Sequence, residues 1–235
     1  MKTSTQILSA AIVAVGLVLT GVAVRSGIVK FKQLDRVVSV KGLAEREVKA
    51  DKVTWPLTYK ELGNDPSQMY SILEAKNAKV VAFLKSAGLG DDEISVNPPQ
   101  ITDRQADNYG NEIMNYRYKA TSVITVTSGN VDKVRQLMRH TAELMKQGIA
   151  IVSEEYGGNA ISYEFTKLNS IKPAMVEEAT KNARSTAEKF AADSDSKIGG
   201  IRTATQGQFS IEDRDANTPY IKKVRVVSTI EYTLD

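Results

Sequence analysis

Residues 47–88, EVKADKVTWPLTYKELGNDPSQMYSILEAKNAKVVAFLKSAG, decide the fold class. The first part alternates apolar and polar residues up to Leu62, which predicts a long β-strand. Pro56 lies inside this pattern and cannot donate to a ladder, which favours an edge position or a bulge. Asp65 and Pro66 then begin an amphipathic helix that Gly88 ends. A long strand followed by such a helix predicts an α+β fold.

The rest of the chain extends this alternation of strands and helices. Upstream, Val37–Val40 predicts a first strand, paired with the second as a β-hairpin. Downstream, apolar spacing predicts strands over 94–105, 112–127, 149–152, 160–166, 201–211 and 220–234, and helices over 131–147 and from Ser170 to about 198. A faint repeat relates residues 66–128 to 170–235. We therefore expect two βαβ-type repeats of antiparallel strands packed on helices, within one domain over residues 31–235.

The N-terminal segment, residues 1–30, predicts export. Ile7 to Val24 is an uncharged run of 18 residues, about the length that crosses a bilayer. The first interpretation is an uncleaved transmembrane anchor, and the alternative is a signal peptide cleaved near Gly21–Ala23. Basic residues after the run argue against an exported C-terminal part by the positive-inside rule, but a long translocated domain can override them. The anchor prediction rests on Ile7, Leu8, Ile12, Val13, Leu17, Leu19 and Val24.

Composition excludes several classes of function. The chain has 31 basic and 28 acidic residues, and the only charges before residue 31 are Lys2, Arg25 and Lys30. Residues 31–235 are therefore balanced, and no nucleic-acid-binding surface is expected. One His and no Cys remove disulfides, thiolate chemistry and most metal sites. We expect no enzyme activity, no cofactor and no metal.

Several strings resemble the SIMPL-domain family, which includes bacterial oxidative-stress-defence and periplasmic immunogenic proteins. They are Val38-Ser39-Val40-Lys41-Gly42, then Val48-Lys49-Ala50-Asp51-Lys52-Val53, Ala87-Gly88-Leu89 and Tyr116-Arg117-Tyr118-Lys119-Ala120, with the Ala-rich third helix. The resemblance implies an α+β fold, location in the bacterial envelope and, in some members, large ring-like oligomers. It implies no known reaction. With the apolar run, it suggests a single-pass inner-membrane protein with a periplasmic domain, or a soluble periplasmic protein if a signal peptide is cleaved.

The residues that could carry chemistry are few. We interpret His140 as an exposed helix residue and Asp193–Lys197 as a polar helix end. The acids at 91–93 and 154–155 are interpreted as solvated turn charges. The polar loops 107–111 and 212–219 are the better interaction candidates, with Asp107, Asn108, Tyr109, Tyr116 and Tyr220 as possible contacts. We expect a non-catalytic envelope protein that acts through self-assembly or partner binding, and the resemblance implies a stress-related role. The alternative is a periplasmic hydrolase or small-ligand-binding protein.

Overall fold

The computed structural model describes residues 2–34, 36–106, 115–152 and 160–235, and within the first helix the side chains of residues 13–29. The helices are α1 (Lys2–Leu34), α2 (Pro66–Ser86), α3 (Val131–Met138), α4 (Ala142–Lys146) and α5 (Leu168–Asp193), with a 3-10 turn at Asp91–Glu93. The strands are β1 (Val37–Lys49), β2 (Lys52–Gly63), β3 (Ile94–Val96), β4 (Gln100–Asp103), β5 (Tyr118–Ser128), β6 (Ser162–Glu164), β7 (Ile198–Gln206), β8 (Ser210–Asp213) and β9 (Ile221–Leu234).

The described strands form two sheets. The five-stranded sheet has the order β3-β5-β2-β6, with β4 also beside β5. Its pairs β2–β5, β2–β6, β3–β5 and β4–β5 are antiparallel. The four-stranded sheet has the order β1-β9-β7, with β8 also beside β9, and β7 runs antiparallel to β9. The predicted α+β fold of antiparallel strands and helices is confirmed.

The chain divides into two compact units. Unit 1 comprises Met1–Arg46, Asn169–Ser210 and Val224–Asp235, and unit 2 comprises Glu47–Leu168 and Ile211–Lys223. Each sheet contains one long strand from the start of the domain. Further along the chain follow a helix, two more strands of the same sheet and a final long strand, in that order. β3 begins at Ile94 and β7 at Ile198, the same 104-residue offset that separates Tyr116 from Tyr220.

The core of unit 2 lies between α2 and one face of the five-stranded sheet. Asp65 begins α2, because its Oδ1 accepts from the backbone N–H groups of Ser67 and Gln68 at 2.9 and 3.3 Å. The helix buries Met69, Leu73, Val80 and Leu84. They pack in one cluster with β2 and β5 residues such as Leu57 and Ile124, which face each other in register. Burying each Leu-sized side chain contributes about 1.5–3 kcal/mol.

The core of unit 1 depends on close packing of α5 against β1. The buried face of α5 carries Ala179, Ala183, Ala187 and Ala191, as the sequence pattern predicted. Gly42 of β1 lies so close to it that a Cβ at this position would be 1.8 Å from the carbonyl oxygen of Ala179. Small residues on both elements therefore set the distance between helix and strand.

The prediction of a hairpin between β1 and β2 is wrong. In the described sheets β1 pairs with β9, whereas β2 pairs with β5 and β6. The turn that joins β1 and β2 sends its hydrogen bonds to distant segments: Ala50 N–H donates to Tyr220 O, and Asp51 N–H to Glu164 O, both at 2.9 Å. The donors of the turn are thus used by other segments, and the two strands join different sheets. Pro56 stands opposite Thr125 in an unbroken register, whereas β6 pairs only with residues 52–54 of β2. Within the described residues Pro56 therefore has a strand on one side, which fits the predicted edge position and not the bulge.

Several further elements differ from the sequence prediction. The strand expected over 149–152 is a single bridge between Val152 and Thr58, and the strand expected over 201–211 is divided into β7 and β8. The helix expected over 131–147 is two short helices, because Arg139 and His140 N–H groups donate to carbonyls three residues back at Gln136 and Leu137. The strand expected over 94–105 is divided into β3 and β4 by Asn97-Pro98-Pro99, since proline cannot donate a ladder hydrogen bond.

Helix α1 contains the predicted anchor. Among the described residues, no helix is both long and apolar enough to cross a membrane, so the predicted transmembrane helix is not supported. The side chains of Ile7, Leu8 and Ile12 lie outside the described part of the structure. Those of Val13, Leu17, Leu19 and Val24 are exposed, from 56% for Val24 to 70% for Leu17.

Candidate functional site

Strand β7 is an edge strand of the four-stranded sheet. Within the described residues it pairs with β9 alone, which leaves its other side without a neighbouring strand. Every residue from Gly200 to Gln206 is exposed. The strand contains no proline and only one charge, on Arg202. Proline, charge and covering loops are the usual means by which proteins protect a sheet edge, and β7 has little of this protection.

The backbone geometry shows which β7 groups face outward. Gly207 N–H, just after the strand, donates to Val227 O at 2.8 Å, and the register is regular from Thr203 to Gln206. Antiparallel ladders alternate, so Thr205 and Thr203 direct their N–H groups toward β9. Ala204 and Gln206 therefore direct theirs away from the sheet. These outward groups can pair with an added strand.

A groove of about 700 Å³ lies in unit 2 between α2 and the strands β3 and β4. The helix contributes Tyr70, Leu73, Glu74, Asn77, Ala78 and Val81. The strand side contributes Val96, Asn97, Pro98, Pro99 and Ile101. We call this feature the α2 groove. Its volume is within the range of about 300–1,000 Å³ that is usual for small-molecule sites.

The α2 groove exists because α2 covers only part of its sheet. Val96 stands opposite Ile124, and Ile101 opposite Ala120. Ile124 and Ala120 are fully buried in the core that contains α2 residues, so Val96 and Ile101 project on the same face of the sheet. They are nevertheless 47% and 42% exposed, because they lie beyond the helix. The prolines between them fix the backbone of this wall.

A buried hydrogen-bond network lies beneath the groove. Asn77 Oδ1 accepts from Tyr59 Oη at 2.8 Å and from Ser122 Oγ at 2.9 Å. Burial raises the pKa of the Tyr59 phenol above its ordinary value, although the hydrogen bond with Ser122 acts in the opposite direction. The phenol therefore stays protonated at neutral pH. This network ties α2 to β2 and β5, and its role is structural.

Glu74 is the charged residue of the α2 groove. Its side chain forms no ion pair or hydrogen bond with any other residue in the part of the chain that the structure describes. By contrast, Lys76 on the same helix pairs with Glu61 of β2, and Lys85 lies 2.5 Å from Asp91. The groove therefore combines an apolar lining with one uncompensated negative charge.

A second cavity, of about 530 Å³, lies in unit 2 beside the start of α3. Its lining includes Lys49, Asp51, Asp132, Phe165 and Tyr220. Most of its charges have partners: Lys49 Nζ is 3.5 Å from Asp132 Oδ2. Asp51 accepts from Thr166 N, Thr166 Oγ1 and Lys167 N at 2.8, 3.0 and 3.1 Å.

The Asp51 carboxylate is held in its charged form. Partial burial acts to raise its pKa, but the hydrogen bonds from Thr166 and Lys167 outweigh this effect, and the pKa lies below its ordinary value. A carboxyl group that serves as a general acid needs the opposite shift. Asp51 therefore joins the β1–β2 turn to the segment before α5.

The structure describes two of the five residues proposed as contacts, Tyr116 and Tyr220. Asp107, Asn108 and Tyr109 lie outside the described residues. Tyr116 is 47% exposed. Tyr220 is half-buried: its ring packs edge-on against Tyr163 at 6.2 Å, and Arg135 lies over it at 3.3 Å from the ring centroid. These two tyrosines therefore have different surroundings, one open and one stacked at the edge of the second cavity.

The loop 212–219 is organised by Asp215. Its carboxylate accepts from Asn217 N and Thr218 N at 2.9 and 2.8 Å, and Arg214 Nε donates to it at 3.0 Å. The Thr218 hydroxyl, with Arg214, lowers the pKa of Asp215 to about 2. In this turn the polar groups of residues 214–218 largely hydrogen-bond to one another.

The other polar residues that the sequence pointed to have ordinary roles where they are described. His140 is exposed, with Nδ1 3.6 Å from Glu143. Glu93 accepts from Ser128 Oγ at 2.5 Å and from Gly90 N at 2.9 Å, and the first of these bonds is the main cause of its lowered pKa. Glu154 and Glu155 lie outside the described residues. Within the described ranges, no group of three or more His, Cys, Asp or Glu residues is arranged to hold a metal ion.

Comparison with protein families gives one match. The model of the SIMPL family, a family of proteins of unknown function, matches residues 38–231. The chain belongs to the SIMPL family. No curated protein matches it. In this SIMPL chain the matched range contains both sheets' strands nearly in full, the α2 groove and β7.

Sequence reasoning missed both surface features of this SIMPL protein. The signal for the α2 groove is the Pro98-Pro99 pair between exposed Val96 and Ile101, which breaks an edge strand. The signal for β7 is a polar strand with one charge and no proline, because such an edge lacks the usual protection.

Proposed function

We propose that this SIMPL protein is exported to the cell envelope and acts there without catalysis, by self-assembly or by binding a partner along β7. The observation that supports this proposal is the unpaired outer side of β7, exposed from Gly200 onward. An extended segment added to such an edge gains backbone hydrogen bonds at each outward N–H and C=O. A stress-related role belongs to this proposal only through the family resemblance.

Ala204 gives the sharpest test, because its N–H faces outward. In Ala204→Pro that donor is lost, while the β9 ladder through Thr203 and Thr205 keeps its donors. The matched control is Ala204→Thr, which retains the N–H and adds a side chain that strands favour. We expect light scattering of the full-length protein to show an oligomer for wild type and Ala204→Thr and a smaller species for Ala204→Pro, with unchanged thermal melting. A wild type that is monomeric over a wide concentration range and crosslinks to no envelope protein would refute the proposal.

Export is proposed on the uncharged run Ile7–Val24. A bacterial inner membrane with the domain in the periplasm is the first location, and a soluble periplasmic protein with a cleaved signal is the alternative. Cell fractionation with intact mass spectrometry of the N-terminus distinguishes them. A full-length protein recovered from the cytoplasmic fraction would contradict both.

Small-ligand binding is the second candidate function, and the α2 groove favours it. A hydrolase is less well supported. Asp51 and Asp132 both line the second cavity, but Asp51 has a lowered pKa and Asp132 pairs with Lys49. A general acid needs a carboxyl group whose pKa is raised, and that of Asp51 is lowered.

A further inference from the structure

The face of α2 that lines the groove carries a single charge at its middle. Tyr70, Glu74 and Ala78 follow at intervals of four residues, so they lie in a row along the helix. Across the groove stand the exposed apolar side chains of Val96 and Ile101 with the two prolines. A ligand in this groove would contact apolar surface and, at the same time, cover the Glu74 carboxylate.

Covering a carboxylate with apolar material costs free energy unless the carboxylate gains a partner. The described part of the chain gives Glu74 no ion pair or hydrogen bond, and the ammonium group of Lys76, two residues on, is bound to Glu61 and to the Gly148 carbonyl. A neutral apolar ligand would leave the charge uncompensated, and an anionic one would be repelled. A protonated amine would satisfy it.

We propose that the α2 groove binds a small apolar molecule that carries one protonated amino group. The apolar body lies against Val81, Val96 and Ile101, and the ammonium group pairs with Glu74. This site goes beyond the assembly proposed for β7, because it consists of other residues and does not depend on Ala204.

The test uses three probes that differ only in their end group: hexylamine, hexanol and hexanoate. The full-length protein, labelled at Ile, Leu and Val methyl groups, is titrated with each probe, and NMR shifts at Val81, Val96 and Ile101 report binding. Methyl groups of Val226 and Ile230 in unit 1 serve as internal controls. We expect hexylamine to bind about two- to fivefold more tightly than hexanol, the factor given by one exposed ion pair of about 0.4–1 kcal/mol, with hexanoate weakest. The preference should shrink at high salt.

Substitutions then assign the two parts of the site. Glu74→Gln should bring hexylamine binding to the level of hexanol. Glu188→Gln, which replaces an exposed acid paired with Arg184 near the end of α5 in unit 1, should leave the binding of all three probes unchanged. Ala78→Leu adds bulk to the groove wall on an exposed helix position and should weaken all three probes.

Three outcomes would overturn the proposal. The first is equal binding of the three probes, and the second is an amine preference that survives Glu74→Gln. The third is that Ala78→Leu changes the oligomer mass while the probes cause no methyl shifts, since a second copy of the chain would then occupy the groove. Ala204→Pro should leave the titrations unchanged, so failure here and failure of the β7 proposal can be told apart.

Discussion

Replacing Asp51 should selectively weaken unit 2. Its carboxylate accepts three hydrogen bonds, from Thr166 N, Thr166 Oγ1 and Lys167 N. Hydrogen bonds to a charged group each contribute about 1.5–3 kcal/mol, but three bonds on one group are not additive. Loss of a comparable capping carboxylate costs about 1–2 kcal/mol. We therefore expect Asp51→Ala to lower the free energy of unfolding by about 2–3 kcal/mol, and Asp51→Asn by somewhat less, because one acceptor oxygen remains.

Trp55 makes the measurement specific. It is the one tryptophan of the chain and is 4% exposed in the core of unit 2. Urea unfolding of the full-length protein, followed by its fluorescence, therefore reports on the unit that contains Asp51. Glu74→Gln is the control, since Glu74 is exposed and makes no ion pair in the described residues, and it should shift stability by less than about 0.5 kcal/mol.

Asp51→Asn also gives a test of how stability depends on pH, and the sign of the effect is fixed. The pKa of Asp51 is lowered in the folded protein, so its contribution is fully present above the unfolded value near 3.9 and is lost as pH falls through the folded value. The stability difference between wild type and Asp51→Asn should thus be constant from pH 7 to about pH 5 and shrink below about pH 4. An Asp51→Ala transition no different from that of Glu74→Gln would show that these hydrogen bonds do not stabilise unit 2.

Two further predictions concern a close contact and a loop. Gly42→Ala should destabilise unit 1 by more than about 3 kcal/mol or prevent its folding, because the new Cβ would lie 1.8 Å from Ala179 O, whereas Gly200→Ala, with nothing within 4 Å, should be nearly neutral in circular-dichroism melts. Equal melting of the two variants would contradict the packing of α5 on β1. Asp215 should titrate at a pKa of about 2, seen by NMR as amide shifts at Asn217 and Thr218 that move only near that pH. A midpoint at pH 4 would mean that the turn is open in solution.

Local signals in the sequence predicted elements well and pairings poorly. The alternation before Leu62 and the cap at Asp65 correctly predicted β2 and α2, because both depend on neighbouring residues. The hairpin was wrong because β1 pairs with β9, about 180 residues away along the chain, and nothing within residues 37–62 identifies that partner.

The candidate site was predictable only in part. Tyr220 was predicted as a possible contact, but alternation alone cannot show that Arg135 stacks on it at the edge of a cavity. The α2 groove depends on how much of the sheet α2 covers, which is a property of packing and not of any one motif. Nothing in the sequence distinguishes Glu74 from the other charges of α2, and only its neighbours across the groove do so.

The order of strands in the four-stranded sheet has a consequence for biosynthesis. β9 lies between β1 and β7, yet it follows both of them along the chain. During synthesis neither β1 nor β7 can pair with β9 until β9 has been made. This long-range closure makes the sheet a slow, late-forming part of the fold. A ribosome that stalls before residue 221 would release a chain whose first strand has no neighbour in its sheet, a species well suited to capture by chaperones or to aggregation.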